Sequence, residues 1–170
     1  MTIKKLLIAN RGEVAVRIAR AAADLDIATV AVHPADDERA LHTRVADQAA
    51  ALEGQGVAAY LDGEQLVRVA KEQGCDAVHP GYGFLAENVA FAEAVEGAGM
   101  AFIGPRPAGL ALFGDKGRAR ALAAKHGVPT LPGTGGEGGA AEPAIRAFFA
   151  ALPDGAAMMI KAVHGGGGRG

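Results

Sequence analysis

The amino-acid sequence predicts an α/β fold: a doubly wound, Rossmann-like parallel sheet over residues 1–113, followed by the incomplete start of a second domain over residues 114–170. Two observations predict it. Short apolar segments alternate with amphipathic segments long enough for several helical turns, which is the order of a β-α-β chain. The apolar segments are also nearly continuous, as in strands that are buried on both faces of a parallel sheet.

The N-terminal segment supplies the first β-α-β unit. Strand Lys4–Ala9 (KKLLIA) precedes helix Glu13–Asp24, in which Val14 and Ile18 recur at helical spacing. Strand Ile27–His33 (IATVAVH) follows and ends before a proline, which cannot continue the ladder of a central strand. Such crossovers are right-handed, so the helix is expected to cover one defined face of the sheet.

The alternation continues along the rest of the chain. The predicted elements are, in order, a turn with a short helix (Asp36–Asp47), a short strand (Ala49–Leu52), a helix (Gly63–Gln73), a strand (Ala77–His79), a helix (Ala86–Glu96), a strand (Ala101–Ile103) and a helix (Asp115–His126). Pro129–Pro143 is dense in glycine and proline, which predicts a linker or a mobile hairpin. Beyond it we expect a helix at Ala144–Ala151 and a strand at Met158–Val163. A tail this short does not build a core of its own.

Composition and charge argue against several classes of function. A net charge of −2 and a pI near 6.2 give no electrostatic basis for binding nucleic acid or an acidic membrane surface. No apolar run approaches the ~20 residues of a membrane span, and the N-terminus carries no evident signal peptide, so we expect a cytoplasmic protein. The single cysteine, Cys75, cannot form an intrachain disulfide and is expected to be a buried structural thiol.

Two loops that follow predicted strands are candidates for ligand contact, because ligands bind at the carboxyl ends of strands in open α/β sheets. The first, Asn10-Arg11-Gly12, opens a helix whose N-terminus suits an anion. It lacks G-x-G-x-x-G, which removes the main support for NAD binding; alternatively, Gly12 only eases a tight turn. The second, HPGYGF, has glycines on both sides of Tyr82 that leave its ring free to enter a cleft. The alternative is an ordinary glycine loop in which His79 and Tyr82 are packing residues.

Two lysines and a terminal glycine run indicate phosphate chemistry. Lys116 follows Asp115, a suitable N-cap, and a cation in the first turn of a helix opposes the macrodipole unless it meets a bound phosphate; a surface lysine is the alternative. Lys161 ends an apolar segment shortly before Gly165, Gly166, Gly167, Gly168, Arg169 and Gly170. Consecutive glycines offer backbone N–H groups that fold round a phosphate, with a flexible tail as the alternative. The lysine precedes the glycines and no G-K-[ST] follows them, so this is not a Walker A loop.

Five segments together resemble the N-terminal region of biotin carboxylases, the ATP-grasp modules of biotin-dependent carboxylases: IANRGEVAVRIARAA, HPGYGFLAEN, FIGP, GDK and IKAVHGGGGRG. They occur in the family's order and extend over nearly the whole chain. The resemblance implies a pre-ATP-grasp Rossmann-like domain followed by a truncated ATP-grasp domain. The full-length enzyme would form carboxyphosphate from bicarbonate and ATP with Mg²⁺ or Mn²⁺, and then carboxylate biotin on a carrier domain.

The resemblance also implies roles for particular residues. Lys116 and Lys161 would contact ATP phosphates, and residues 165–170 would form the lid loop over them. Tyr82 would lie on the bicarbonate and biotin side of the cleft. The catalytic residues and the metal ligands are expected after Gly170, so none is assigned within this chain, and the chain alone is expected to be inactive.

The implied partners are a biotin carboxyl carrier domain and a carboxyltransferase domain or subunit. Arg20 and Asp24, on the first predicted helix, fall where the family has dimer-interface charges. Two alternatives stay open at this point. One is a non-catalytic α/β module for nucleotide binding or dimerisation, and the other is an ATP-grasp ligase of the carbamoyl-phosphate synthetase type.

Overall fold

The computed structural model describes residues 2–134 and 139–161. The chain divides into two units, the first ending at Leu110 and the second beginning at Ala111. The predicted domain boundary lies three residues later, after residue 113. The elements of the first unit are β1 (Lys5–Ile8), α1 (Gly12–Ala23), β2 (Ala28–His33), a 3₁₀ turn (Ala35–Asp37), α2 (Leu41–Val45), β3 (Gln48–Ala51), α3 (Gly56–Tyr60), α4 (Gly63–Glu72), β4 (Ala77–His79), α5 (Val89–Gly97) and β5 (Ala101–Phe102). Helix α6 (Pro107–Gly114) extends past the boundary, and the second unit contains α7 (Lys116–Lys125) and α8 (Glu142–Ala150).

The sheet of the first unit confirms the predicted fold. Its five strands are all parallel, in the order β3-β2-β1-β4-β5. Leu7 of β1 is in register with Val30 of β2 and Val78 of β4, and all three are fully buried. The strand order reverses between β1 and β4, and the carboxyl ends of strands beside such a reversal form a crevice in doubly wound folds. The two loops that the sequence singled out follow these two strands.

Side chains cap the N-termini of helices α4, α5 and α7. Asp62 begins α4, with its Oδ1 accepting a hydrogen bond from Gln65 N at 2.9 Å. Asp115 begins α7 by accepting one from Arg118 N at 2.9 Å, which confirms the predicted N-cap. Helix α5 begins at Val89 rather than at the predicted Ala86, because the side chain of Asn88 caps Phe91 N at 2.9 Å.

Three other elements differ from the predicted ones. Helices α3 and α6 were not predicted, because neither short segment shows helical periodicity in the sequence. The predicted strand Met158–Val163 is wrong for residues 158–161, which have no regular secondary structure, and residues 162 and 163 lie outside the described part of the chain. Strands require a neighbour to complete their hydrogen bonds, and within the described residues no strand pairs with this segment.

Cys75 matches its predicted role as a structural thiol. It is buried at the end of the loop that leads into β4. Burial raises the pKa of the thiol to about 11, because the thiolate loses solvation. At neutral pH the side chain is therefore a small apolar group in the core of the first unit.

Candidate functional site

Asn10 joins the two loops at the strand reversal. It follows β1 and is buried. Its Nδ2 donates hydrogen bonds to the backbone oxygens of Pro80, at 2.7 Å, and Tyr82, at 3.0 Å, while its Oδ1 accepts one from Arg11 N at 2.8 Å. One buried amide thus fixes the loop after β4, residues 80–84, to the turn between β1 and α1. We call residues 80–84 the Tyr82 loop. The sequence placed Asn10 in a candidate loop but indicated no role for its side chain, although a polar residue directly after a buried strand was a usable signal.

Gly81 is the position in the Tyr82 loop that requires glycine most strictly. Its φ is +67°, and an added Cβ would lie 2.5 Å from Cγ1 of Val14 and 2.8 Å from Nδ2 of Asn10. Its N–H donates to Nδ1 of His79 at 3.0 Å. Burial lowers the pKa of His79, which favours the neutral ring with its proton on Nε2. Gly81 is therefore required because the loop backbone lies too close to Val14 of α1 and to Asn10 for a side chain to fit.

Tyr82 presents its ring to solvent, with 62% of its surface exposed. Its hydroxyl donates a hydrogen bond to Oε1 of Glu13, in the first turn of α1, at 2.5 Å. This hydrogen bond and the Glu13 charge raise the pKa of Tyr82, because both disfavour the phenolate. The phenol is therefore an oriented, neutral group at the carboxyl ends of β1 and β4.

A groove of about 540 Å³ runs beside Tyr82 within the first unit. Its walls are mostly apolar side chains of α1 and the neighbouring strands. Its lining also includes three residues with polar side chains, Arg17, His79 and Tyr82. Arg20 and Asp24, the predicted dimer-interface charges, are exposed on α1 and at its end.

A second cluster lies under the other side of the Tyr82 loop. Asp37 accepts hydrogen bonds from Arg11 Nη1, at 3.2 Å, and from the hydroxyl of Tyr60, at 2.9 Å, both on Oδ2. Partial burial raises the pKa of Asp37, but these two hydrogen bonds outweigh burial and hold the pKa below its usual value. Burial, together with the Asp37 hydrogen bond, raises the pKa of Tyr60. Asp37 is thus ionised and Tyr60 neutral at ordinary pH.

His42 completes this cluster. It is buried, its Nε2 lies 3.2 Å from the backbone oxygen of Val32 and 3.5 Å from the Tyr60 hydroxyl, and its Nδ1 has no hydrogen-bond partner among the described residues. Burial lowers the pKa of His42. A neutral ring that donates from Nε2 to Val32 accounts for these contacts.

In the second unit, a cavity of about 950 Å³ brings Lys116 and Lys161 to a common boundary. Lys116 is the first residue of α7. Arg120, four residues later and so on the same face of the helix, lines the cavity too, and its Nη2 donates to the backbone oxygen of Leu131 at 3.0 Å. Nothing in the sequence alone distinguished Arg120 from other surface arginines. The remaining lining is largely apolar and includes Ile145, Phe148 and Met158.

Some expectations fall outside what the structure describes. Gly165, Gly166, Gly167, Gly168, Arg169 and Gly170, the expected lid loop, lie beyond residue 161, so their role remains a prediction. Within residues 2–134 and 139–161, no group of three or more His, Cys, Asp or Glu side chains is placed to hold a metal ion. A search of the same residues finds no helix with the length and apolar character to cross a membrane.

Comparison with known sequences identifies the family. The profile of the biotin carboxylase N-terminal domain matches residues 2–110. The chain is 47% identical over 172 residues to the pyruvate carboxylase of Bacillus subtilis, covering 99% of this chain and 15% of the relative. It is 44% identical over 171 residues to the biotin carboxylase of Nostoc sp. strain PCC 7120, covering all of this chain and 38% of the relative. The chain therefore spans well under half the length of either relative.

Solved structures agree. The biotin carboxylase domain of a single-chain bacterial carboxylase is 59% identical, with a TM-score of 0.75 over 77% of this chain and 31% of that one. A single-chain, multi-domain long-chain acyl-CoA carboxylase is 47% identical, with a TM-score of 0.82 over 86% of this chain and 14% of that one. The biotin carboxylase domain dimer of the 2-oxoglutarate carboxylase from Hydrogenobacter thermophilus, solved with MgADP, ADP and bicarbonate, is 44% identical, with a TM-score of 0.77 over 79% of this chain and 30% of that one.

The resemblance noted in the sequence is therefore confirmed, both in sequence and in fold. The proteins compared above are biotin-dependent carboxylases and biotin carboxylases, which decides against the carbamoyl-phosphate synthetase type of ligase that the sequence left open. The five-stranded parallel sheet, the loops at its strand reversal and the profile match agree on one conclusion: this chain belongs to the family of biotin carboxylase N-terminal domains.

Proposed function

We propose that the chain is the N-terminal portion of a biotin carboxylase, which uses MgATP and bicarbonate to carboxylate biotin on a carrier domain. The observation that supports this proposal most directly is in the second unit: Lys116 and Lys161, far apart in the chain, line the same cavity. Two lysines at the boundary of one cavity suit the phosphate chain of a nucleotide. The 2-oxoglutarate carboxylase structure, whose ligands include MgADP and bicarbonate, supports the same assignment by homology.

The proposed work of this site is binding and charge neutralisation. Lys116 lies at the N-terminus of the ten-residue helix α7, where backbone N–H groups and the macrodipole also favour an anion. Lys161 would neutralise the phosphates from a second direction, and Arg120 would add a third positive group. Clamps of this kind lower the barrier to phosphoryl transfer by positioning the group and by stabilising its charge. The apolar lining suits the uncharged base of a nucleotide.

The metal that accompanies the nucleotide has no ligand set among the described residues, as noted above. We therefore assign it no residue and derive no step through it. Tyr82 is proposed to face bicarbonate or biotin. In that role the hydrogen bond to Glu13 would fix its phenol as a neutral, oriented contact for a substrate.

Nucleotide binding tests the proposal in the chain itself. A fluorescent ADP analogue is titrated with the parent chain and with Lys116→Ala, Lys161→Ala and Lys125→Ala, the last removing a lysine from the far end of the same helix α7. We expect each of the first two changes to weaken binding at least tenfold, because about 1.4 kcal/mol of lost phosphate interaction corresponds to a factor of ten. Lys125→Ala should leave binding within about twofold. Equal effects of all three substitutions would contradict the assignment.

We further propose that the chain alone does not turn over ATP. It spans 38% of the Nostoc biotin carboxylase and 15% of the Bacillus subtilis pyruvate carboxylase, and the described residues contain no group of three or more His, Cys, Asp or Glu side chains placed to hold a metal ion. The expected result is no bicarbonate-dependent ADP production above that of Lys116→Ala. Clear production that this substitution abolishes would show that the chain contains a complete catalytic site.

The full-length protein is proposed to work in the cytoplasm with a biotin carboxyl carrier domain and a carboxyltransferase domain or subunit, and to form a homodimer through α1. Arg20 and Asp24 are exposed one helical turn apart, which suits a charge exchange between two copies. Analytical ultracentrifugation of Arg20→Glu, Asp24→Arg and the double variant tests the dimer. Either single change should weaken association, and the double variant should restore part of it. Association that none of the three variants alters would exclude these residues from the interface.

A further inference from the structure

Phe84, the last residue of the Tyr82 loop, has a backbone conformation that a bulky side chain seldom adopts. Its φ is +40°, in the left-handed region that normally requires glycine. A non-glycine residue in that region raises the free energy of the folded state, and it persists only where its surroundings hold it. Such residues concentrate at functional sites. The question is which contact holds Phe84.

The ring of Tyr60 is that contact. The two rings are stacked, with centroids 5.5 Å apart and planes 6° from parallel. Tyr60 is the last residue of α3 and is completely buried, so its ring is a rigid platform. Phe84 itself is only half-buried. Stacking on a fixed ring therefore restricts Phe84 more than general burial does.

Tyr60 is in turn held by the residues at the end of β1 and β2. Its hydroxyl donates to Oδ2 of Asp37 at 2.9 Å, and the same oxygen accepts from Arg11 Nη1. The guanidinium carbon of Arg11 also lies 5.7 Å from the centroid of the Tyr60 ring. Arg11 directly follows Asn10, whose side chain donates hydrogen bonds to the Tyr82 loop at Pro80 and Tyr82.

We propose that Tyr60 is a positioning residue for Tyr82: its ring holds Phe84 in the left-handed conformation, and its hydroxyl, fixed by Asp37, ties the Tyr82 loop to the turn after β1. Tyr82 is two residues from Phe84, and with the loop in this shape its phenol reaches Glu13. A rotation of the backbone at Phe84 would carry the phenol away from Glu13. The relevance of this positioning to bicarbonate or biotin rests on the proposed function, but the positioning itself does not.

The chain offers a direct measurement because it has only two tyrosines, Tyr60 and Tyr82, and no tryptophan. With ¹³C at the ζ carbon of tyrosine, a variant that lacks Tyr60 gives a single tyrosine resonance, which reports on Tyr82 alone. The Phe84→Leu variant retains both tyrosines, and the Tyr82 signal is then assigned by its loss in Tyr82→Phe. Titration of this resonance with pH measures the phenol pKa, and its line width measures the mobility of the ring.

The expected results follow from the geometry. Tyr60→Leu and Phe84→Leu each remove the stack, so the Tyr82 resonance should shift and its pKa should fall toward the ordinary tyrosine value of about 10 as contact with Glu13 is lost. Tyr60→Phe keeps the ring and loses only the bond to Asp37, so it should produce a smaller change in the same direction. If Tyr60→Leu does not fold, Phe84→Leu and Tyr60→Phe carry the test.

Phe91→Leu is the matched control. Phe91 is a buried aromatic residue of the same core, packed edge-to-face on Phe102 at a centroid distance of 6.0 Å. It should lower the thermal midpoint as Phe84→Leu does, without moving the Tyr82 resonance. A Tyr82 resonance and pKa that stay at parental values in Phe84→Leu and Tyr60→Phe would overturn the proposal, as would an equal change in Phe91→Leu.

The experiments distinguish failure of the positioning role of Tyr60 from failure of the proposed nucleotide binding. The resonance of Tyr82 is measured without nucleotide, so an unchanged signal overturns the positioning role and leaves the phosphate site of Lys116 and Lys161 intact. Conversely, nucleotide affinity that neither Lys116→Ala nor Lys161→Ala changes would overturn the proposed function. A displaced Tyr82 would still support the role of Tyr60.

Discussion

The Tyr82 loop and the cavity lined by Lys116 and Lys161 differ in how tightly the residues around them are packed. Around the Tyr82 loop, Asn10 makes three hydrogen bonds at or below 3.0 Å, and strands β1 and β4, which lead into the two loops, consist mostly of buried residues. Around the cavity of the second unit, helices α7 and α8 bury none of their residues, and Leu131 is 85% exposed. Sites formed on a packed core are pre-organised, whereas regions with little burial open at low free energy. We therefore expect the Tyr82 loop to keep its shape without a ligand, and the cavity of the second unit to become more ordered when the proposed nucleotide binds.

The largest expected effect contrasts one leucine from each unit. Leu7→Ala in β1 removes a side chain with no exposed surface and should lower the free energy of unfolding by about 2–5 kcal/mol. Leu131→Ala, in the second unit, should change it by no more than about 0.5 kcal/mol. Urea unfolding followed by circular dichroism measures both. Comparable losses would show that the second unit has a core of its own and would break the contrast.

A smaller effect is expected within the Tyr82 loop. Gly81→Ala places a methyl group against Val14 and Asn10 at positive φ, which should cost about 2–4 kcal/mol from overpacking and backbone strain. Gly83→Ala has a similar φ of +69° but open space around its Cβ, so it should cost only about 1 kcal/mol. The difference between the two, measured by urea unfolding, isolates the close packing of loop on helix. Equal costs would mean that the loop is less tightly held than proposed.

The smallest expected effect is a pH dependence of the free energy of unfolding that arises from two histidines of the first unit. Burial lowers the pKa values of His42 and His79, so below the ordinary histidine pKa of about 6.5 the unfolded chain binds protons that the folded chain does not. Stability should therefore be full above that pH and decline as the pH falls, by at most about 1.4 kcal/mol per pH unit for each group. His42→Gln should flatten the slope of unfolding free energy between pH 5 and 7. An unchanged slope would show that His42 is not held neutral.

The sequence predicted most of the sheet because buried parallel strands have a composition of their own. Strands Lys5–Ile8 and Ala28–His33 are nearly continuous apolar runs, and each of their ends lies within one residue of the predicted end. Asp115 was predictable as a cap because capping acts over three residues. Such signals are local, so a single sequence contains them.

The rest depended on contacts between distant parts of the chain. Nothing in the sequence pairs Asn10 with Pro80, or Tyr60 with Phe84, since those contacts exist only after the sheet aligns β1 with β4. The positive φ of Phe84 is invisible for the same reason. The resemblance assigned Lys116 and Lys161 to the same ATP phosphates, but the cavity that both line, and Arg120 beside it, required the structure.

The burial of Cys75 has a practical consequence for all these measurements. With a thiol pKa of about 11, only about one in ten thousand molecules carries the thiolate at neutral pH, and the surrounding core limits access to it. Maleimide reagents should therefore leave the native chain unlabelled. A cysteine introduced at the exposed position Leu131, which lines the cavity of the second unit, would accept a fluorophore without prior removal of the native thiol, and its signal would test whether nucleotide binds in that cavity.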